Sequence, residues 1–142
     1  LAGYSIDSMK VRVYDGSMHS VDSKPVAFEL CAKEGFREAA KKCKPVILEP
    51  IMKLEVITTD EYTGSVIGDL NRRRGLLKGQ ESRGSAIIVK AEVPLSEMFG
   101  YITELRTLTS GRASSTMEFS HFSSAPDGIS KAVIEKANGG NK

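Results

Sequence analysis

A chain of 142 residues, 40% hydrophobic and 27% charged, has the size and apolar content of one packed domain, or of one and part of another. No apolar run approaches the roughly 20 residues that cross a bilayer, and the N-terminal LAGYSIDSMK has neither the basic start nor the apolar core of a signal peptide, so a cytoplasmic protein with no membrane partner is expected. A formal charge of +2 neither demands nor forbids nucleic acid; only the placement of the cations can decide that.

Ile6 to Tyr14 alternates, with Met9, Val11 and Val13 on one side and Lys10, Arg12 and Tyr14 on the other, which predicts a half-buried strand. Asp15-Gly16 turns the chain into a polar loop, Ser17 to Ser23. A helix is predicted from Pro25 behind a Ser or Asp cap, with an apolar stripe of Phe28, Ala32, Phe36, Ala39 or Ala40, and Cys43, and with Lys41, Lys42 and Lys44 at its end. Cys31 and Cys43 on that helix stand about 18 Å apart at about 1.5 Å per residue, too far to bridge, and read as buried structural thiols. Two cysteines and two histidines give no metal-ligand spacing. One strand and one helix cannot enclose a core, so the first 45 residues are expected to be part of a larger, truncated domain. The stretch between Pro45 and Pro50 then reads as a stiff connector at a domain boundary.

From Ile51 the periods become regular. Met52, Leu54 and Val56 alternate as a strand; Asp60 to Arg74 follows as a helix whose face is Tyr62, Val66, Ile67 and Leu70. Thr58 with Glu61 fits a capping box, and Gly75 fits the stop. Leu76 to Ser82 and Ala86 to Val93 are the next strands, joined at Arg83-Gly84. Pro94 opens a helix with Leu95, Met98, Phe99, Ile102 and Leu105 on its face and Gly111 as its end, and Ala113 to Phe119 is the last strand. The order β-α-β-β-α-β predicts an α+β, ferredoxin-like fold, four antiparallel strands with both helices on one side. The open side would carry Lys53, Glu55, Lys90, Glu92, Thr116 and Glu118, without the stacking aromatics that an RNA-recognition motif uses. Behind Asp127, a small face of Ile129, Ala132, Val133 and Ala137 suggests a short tail helix ending near Asn138-Gly139-Gly140.

No GxxxxGK[ST] or strand-linked GxGxxG occurs, so no nucleotide hydrolysis is expected of these residues. Ser17, His19 and Asp22 share one short loop, a poor frame for triad geometry, and His121 reads as a strand-end surface residue. His19 stands at an exposed loop tip with no apolar stripe to join, either as a solvated histidine or as a contact residue. Arg72, Arg73 and Arg74 suit a helix C-terminus, but one arginine would satisfy the dipole. Three in succession, followed by Lys78 and Arg83, also fit a phosphate-facing patch.

The runs YDGSMHSVDS (14–23), PVILEPIMKLEV (45–56), VIGDLNRRRG (66–75), VPLSEMFGYITELRTLTSGRAS (93–114) and MEFSHF (117–122) resemble, in order, the C-terminal part of bacterial elongation factor G, the ribosomal translocase. The resemblance implies that residues 1–46 are the end of domain IV, that 47–123 are the ferredoxin-like domain V, and that 124–142 are a tail. It implies RNA contact at the decoding site by a tip loop of Gly16, Ser17, Met18, His19, Ser20 and Asp22, behind the moving tRNA–mRNA complex. Large-subunit rRNA near the GTPase-associated region would then face domain V, with Arg72, Arg73, Arg74 and Lys78 as the candidate basic patch. The ribosome and the factor's other domains are the implied partners, with no DNA. GTP and magnesium would belong to a G domain outside this chain, so the parent resembles a translational GTPase while these residues hold no cofactor and no catalytic group. The alternative is a free-standing RNA- or protein-binding ferredoxin-like module; a reading frame continuing upstream into a GxxxxGK[ST] loop would discriminate against it.

Overall fold

The computed structural model describes residues 1–17 and 24–139. They divide into two units, Leu1–Ile47 with Pro126–Lys142, and Leu48–Ala125.

In the first unit the described elements are α1 (Pro25–Lys42) and, after the second unit, α4 (Asp127–Gly139). Pro25 opens α1 as expected, but its N-cap is Lys24, without a side-chain cap. The strand predicted over Ile6 to Tyr14 is not formed: a strand needs a ladder partner, these residues have none among those described, and Met9, Val11 and Val13 are exposed. For the same lack of a covering layer, α1 buries no residue completely, and only Ala27, Phe36 and Ala40 are half-buried. The buried-thiol expectation fails with it, since Cys31 and Cys43 are both exposed and free. The tail helix does form, and it too buries no residue completely.

The second unit has the β-α-β-β-α-β order: β1 (Leu48–Thr59), α2 (Asp60–Arg72), β2 (Leu76–Arg83), β3 (Ala86–Pro94), a 3-10 turn (Leu95–Glu97), α3 (Tyr101–Leu108) and β4 (Ser114–Ser124). The sheet runs β2-β3-β1-β4 and every pairing is antiparallel, the ferredoxin-like arrangement. Leu54 and Val56 of β1 lie opposite Ala91 and Val89 of β3, so period-two alternation puts all four on one side. Val66 and Leu70 of α2 and Met98, Tyr101 and Leu105 complete that core with Val93. Pro50 sits inside β1 but outside its ladder with β3, which begins at Ile51, so its missing N–H is tolerated.

Three local details differ from the sequence reading. The capping box on Thr58 and Glu61 does not form: Thr59 is the N-cap of α2 and no side chain caps it. At the other end α2 stops at Arg72, Arg73 is the C-cap, and Arg74 takes the left-handed φ of 59°. Gly75 then donates its N–H to Leu70 O at 2.8 Å, and a Cβ there would lie 2.7 Å from that oxygen, so only glycine fits. The helix expected from Pro94 is broken at Gly100, whose φ is 73°. The break resets the helical phase, so Tyr101 is 2% exposed, while Phe99 is 83% exposed and Ile102 is also exposed.

Strand β4 runs five residues beyond its predicted end at Phe119, to Ser124, and carries an irregularity. Ile51 pairs with His121 while Met52 pairs with Phe119, which leaves Ser120 as the extra residue of a bulge. The bulge puts Phe119 and Phe122 on the core side of the sheet, with ring centroids 5.2 Å apart, yet both are exposed. The opposite side is covered by charge pairs rather than aromatics: Lys53–Glu118 at 3.6 Å, Lys78–Glu92 at 3.6 Å and Lys90–Glu81 at 2.9 Å. The Lys90 bond holds the Glu81 carboxyl below its usual range.

Candidate functional site

The basic cluster at the end of α2 is the most connected polar assembly of the second unit. Arg72 and Arg73 lie three and four positions after Asp69 on one helix, the spacing at which side chains meet. Asp69 is buried, and both its oxygens are used: Arg72 Nη2 donates to Oδ1 at 2.6 Å and Arg73 Nε to Oδ2 at 3.0 Å. Arg73 turns inward, with its side chain 13% exposed; it donates to the carbonyls of Glu97 and Phe99 and lies 5.2 Å from the centroid of Tyr101. This arginine ties the end of α2 to the turn that precedes α3. Burial, then the Asp69 charge, push the Tyr101 hydroxyl up to about 12, against the opposing pull of Arg73.

Arg74 reaches another strand. Its Nη1 and Nη2 donate to the two carboxylate oxygens of Glu49 at 3.0 and 3.1 Å, and its Nε donates to Glu97 Oε1 at 3.1 Å. Bidentate geometry of this kind is strong and directional. Those bonds, with Glu49 first, raise the Arg74 pKa. Arg72 alone of the three faces solvent; its side chain is 68% exposed and it also pairs with Glu104 at 3.5 Å. The pairing with Asp69, ahead of that with Glu104, raises its pKa.

Of the expected patch, therefore, the structure brings Arg72, Arg73 and Arg74 together around Asp69, Glu49 and Glu97, while Lys78 stands apart on β2, paired with Glu92. Within Leu48–Ala125 and among the described residues, the cations with no carboxylate in ion-pair range are Arg83, Arg106 and Arg112, all exposed. Sequence reasoning noted Arg83 in passing and missed the other two. The available signal was negative: neither Arg106 nor Arg112 has an acid three or four positions before it, as Arg72 and Arg73 do.

Of the tip loop, Gly16 and Ser17 are described and exposed, and the Gly16 N–H donates to Asp15 Oδ1 at 2.8 Å, a side-chain bond that marks the turn. Met18, His19, Ser20 and Asp22 lie outside the described residues. His121 is exposed on β4, with its Nδ1 2.9 Å from Ser120 Oγ. Among the described residues there is no group of three or more His, Cys, Asp or Glu side chains able to hold a metal, and no helix long and apolar enough to cross a membrane.

Comparison with known proteins gives two family matches in chain order. The model for elongation factor G, domain IV matches residues 1–44, and that for the elongation factor G C-terminus matches residues 46–133. Elongation factor G of Amoebophilus asiaticus is 54% identical over 139 residues, and that of Cytophaga hutchinsonii 52% identical over 139, each alignment covering 98% of this chain and 20% of the relative. A crystal structure of a Thermus thermophilus protein superposes with a TM-score of 0.75 at 38% identity, over 89% of this chain and 19% of that one. The chain thus spans about a fifth of the length of the curated relatives it matches.

Proposed function

Because the chain belongs to the elongation factor G family, through the end of domain IV and the C-terminal domain, we propose that it serves as the RNA-contacting end of a GTP-dependent ribosomal translocase in the cytoplasm. The observation that carries this reading is the succession of two family matches over nearly the whole chain, in the order in which the factor uses those domains. GTP binding and hydrolysis are assigned to parts of the parent factor outside these residues, consistent with a sequence that contains no phosphate-binding loop. The role left to the chain is mechanical: it occupies space on the ribosome and holds RNA by phosphate contacts.

In this reading the tip loop, Gly16 to Asp22 with His19 at its end, meets the tRNA–mRNA complex at the decoding site, and the C-terminal domain meets large-subunit rRNA. The ion pairs support a division of labour within the basic patch. Arg73 and Arg74 spend their donors on Asp69, Glu49 and backbone carbonyls, so the phosphate contacts fall to exposed Arg72 and Lys78, joined by unpaired Arg106 and Arg112. A neutralised phosphate releases counterions, and binding therefore weakens with salt in proportion to the contacts made.

The test is binding of the chain to ribosomes over a series of potassium chloride concentrations. Replacing Arg72 and Lys78 with alanine should flatten the logarithmic slope by about 0.7–0.9 for each phosphate left without its cation. An unchanged slope with unchanged affinity contradicts the assignment to that patch, and no ribosome binding by the unaltered chain contradicts the reading as a whole.

A further inference from the structure

We propose that Phe99 is a stacking platform for an unpaired RNA base; the proposal rests on the RNA-contacting reading above and adds a base contact to it, at a residue that neither the tip loop nor the basic patch includes. A lone exposed hydrophobic residue is ordinary on a protein surface. Phe99 differs in how firmly it is held outward. It is 83% exposed, while Met98 directly before it is 7% exposed and Tyr101 two positions after it is 2% exposed, and both of those neighbours belong to the core. The Tyr101 N–H donates to Met98 O at 3.1 Å, the left-handed Gly100 turns the chain between them, and inward-turned Arg73 donates to Phe99 O at 3.5 Å. The ring enters the close-packed core only by displacing Met98 or Tyr101. Held outward on a fixed backbone, it has little freedom to lose on binding.

The open side of the sheet carries charge pairs where single-strand readout needs a ring. Among the described residues of the second unit, the other exposed rings, Phe119 and Phe122, lie against each other, which leaves Phe99 as the exposed ring without an aromatic neighbour. The acids nearest to it in sequence are engaged: Glu97 by Arg74 at 3.1 Å and Glu104 by Arg72 at 3.5 Å. Arg72 nevertheless stays 68% exposed. Arg106, one turn after exposed Ile102 on α3, has no carboxylate in ion-pair range among the described residues. An eight-residue helix is about 12 Å long, so Arg106 stands within reach of a phosphate beside a base on Phe99. Splayed-out bases are held in this way, by a ring that stacks and by arginines that meet the backbone. An apolar pocket on a protein would accept Phe99 with Ile102 but would leave Arg72 and Arg106 to be desolvated, whereas RNA brings a phosphate with every base.

The experiment measures binding of the whole chain to a hairpin RNA with unpaired loop bases and to a fully paired duplex of the same stem, over a series of salt concentrations. It is repeated for Phe99→Ala, Phe99→Tyr, Phe99→Leu and Arg106→Gln. The hairpin is expected to bind more tightly than the duplex. Phe99→Ala should weaken hairpin binding about fivefold or more, the effect of losing one stacked base, while leaving the salt slope, the duplex affinity and the melting temperature unchanged. Phe99→Tyr should bind as the unaltered chain does, Phe99→Leu should bind as weakly as Phe99→Ala, and Arg106→Gln should lower the hairpin slope by about 0.7. Hairpin affinity unchanged in Phe99→Ala, or equal affinity of the unaltered chain for hairpin and duplex, overturns the platform while leaving the RNA-contacting reading intact. Full hairpin affinity in Phe99→Leu overturns stacking in favour of an apolar contact, the kind that a protein pocket makes. A lower melting temperature in Phe99→Ala assigns the ring a packing role and overturns the site, and absence of RNA binding by the unaltered chain overturns both the platform and the reading on which it stands.

Discussion

Arg74 binds Glu49 from a left-handed backbone, a conformation that costs a non-glycine residue roughly 1–2 kcal/mol. Charge-assisted bonds to Glu49 and Glu97 offset that strain, and they fix the start of β1 to the end of α2. Arg74→Ala leaves Glu49 buried without its partner and should destabilise the chain by about 1–3 kcal/mol in urea unfolding. Arg72→Ala removes the exposed pair with Glu104 and one of the two bonds to Asp69, which keeps Arg73, and should cost less than Arg74→Ala. Equal losses from the two substitutions would contradict the division between internal and outward arginines.

Tyr101 supplies a pH test at the same scale. Its hydroxyl is held up to about 12 in the fold, against about 10 in an unfolded chain. Between those values the unfolded chain releases a proton that the folded chain retains, so stability is intact below about pH 10 and falls as pH rises towards 12. Tyr101→Phe should remove that tyrosine's share of the alkaline loss and cost little at pH 7, because the buried hydroxyl has no hydrogen-bond partner. Urea unfolding of both proteins at about pH 7 and about pH 11 makes the comparison; an identical alkaline loss in the two contradicts the assignment.

At the level of elements, the second unit was legible from the periods alone. Alternation in β1 and β3 named Leu54, Val56, Val89, Ala91 and Val93, and helical spacing named Val66 and Leu70, all of which enter the core. What periodicity could not register was a break in phase. A continuous helix from Pro94 places Phe99 and Ile102 beside Met98 and Leu105, but the left-handed Gly100 separates a 3-10 turn from α3 and buries Tyr101 instead. The bulge at Ser120 escaped for a similar reason, since one inserted residue changes the face without changing composition. Leu105→Ala should cost about 2–5 kcal/mol, as for other buried leucines, whereas Ile102→Ala on the exposed side should cost much less. Comparable losses would mean that α3 packs in the phase the sequence suggested. In the first unit the alternation at Met9 to Val13 was real, but a strand is a property of a pair, and no partner lies among the described residues.

For the whole molecule, the proposed function rests on family membership, and the ion pairs narrow which cations are expected to make the contacts. The triple arginine looked outward-facing in sequence because charge counts do not show which carboxylates fold back onto it; Asp69 was visible at helical spacing, Glu49 and Glu97 only through the fold. The proposed function puts His19 at the contact with moving RNA and the hydrolytic site elsewhere in the parent factor. An imidazole with an ordinary pKa of about 6.5 can donate to phosphate or base edges without taking part in bond cleavage. The most direct measurement times tRNA–mRNA movement and GTP hydrolysis in a single preparation of ribosomes with a full-length factor carrying His19→Ala. Slowed movement with hydrolysis nearly intact is the predicted result; hydrolysis that falls as far as movement, or no change in either, would contradict it.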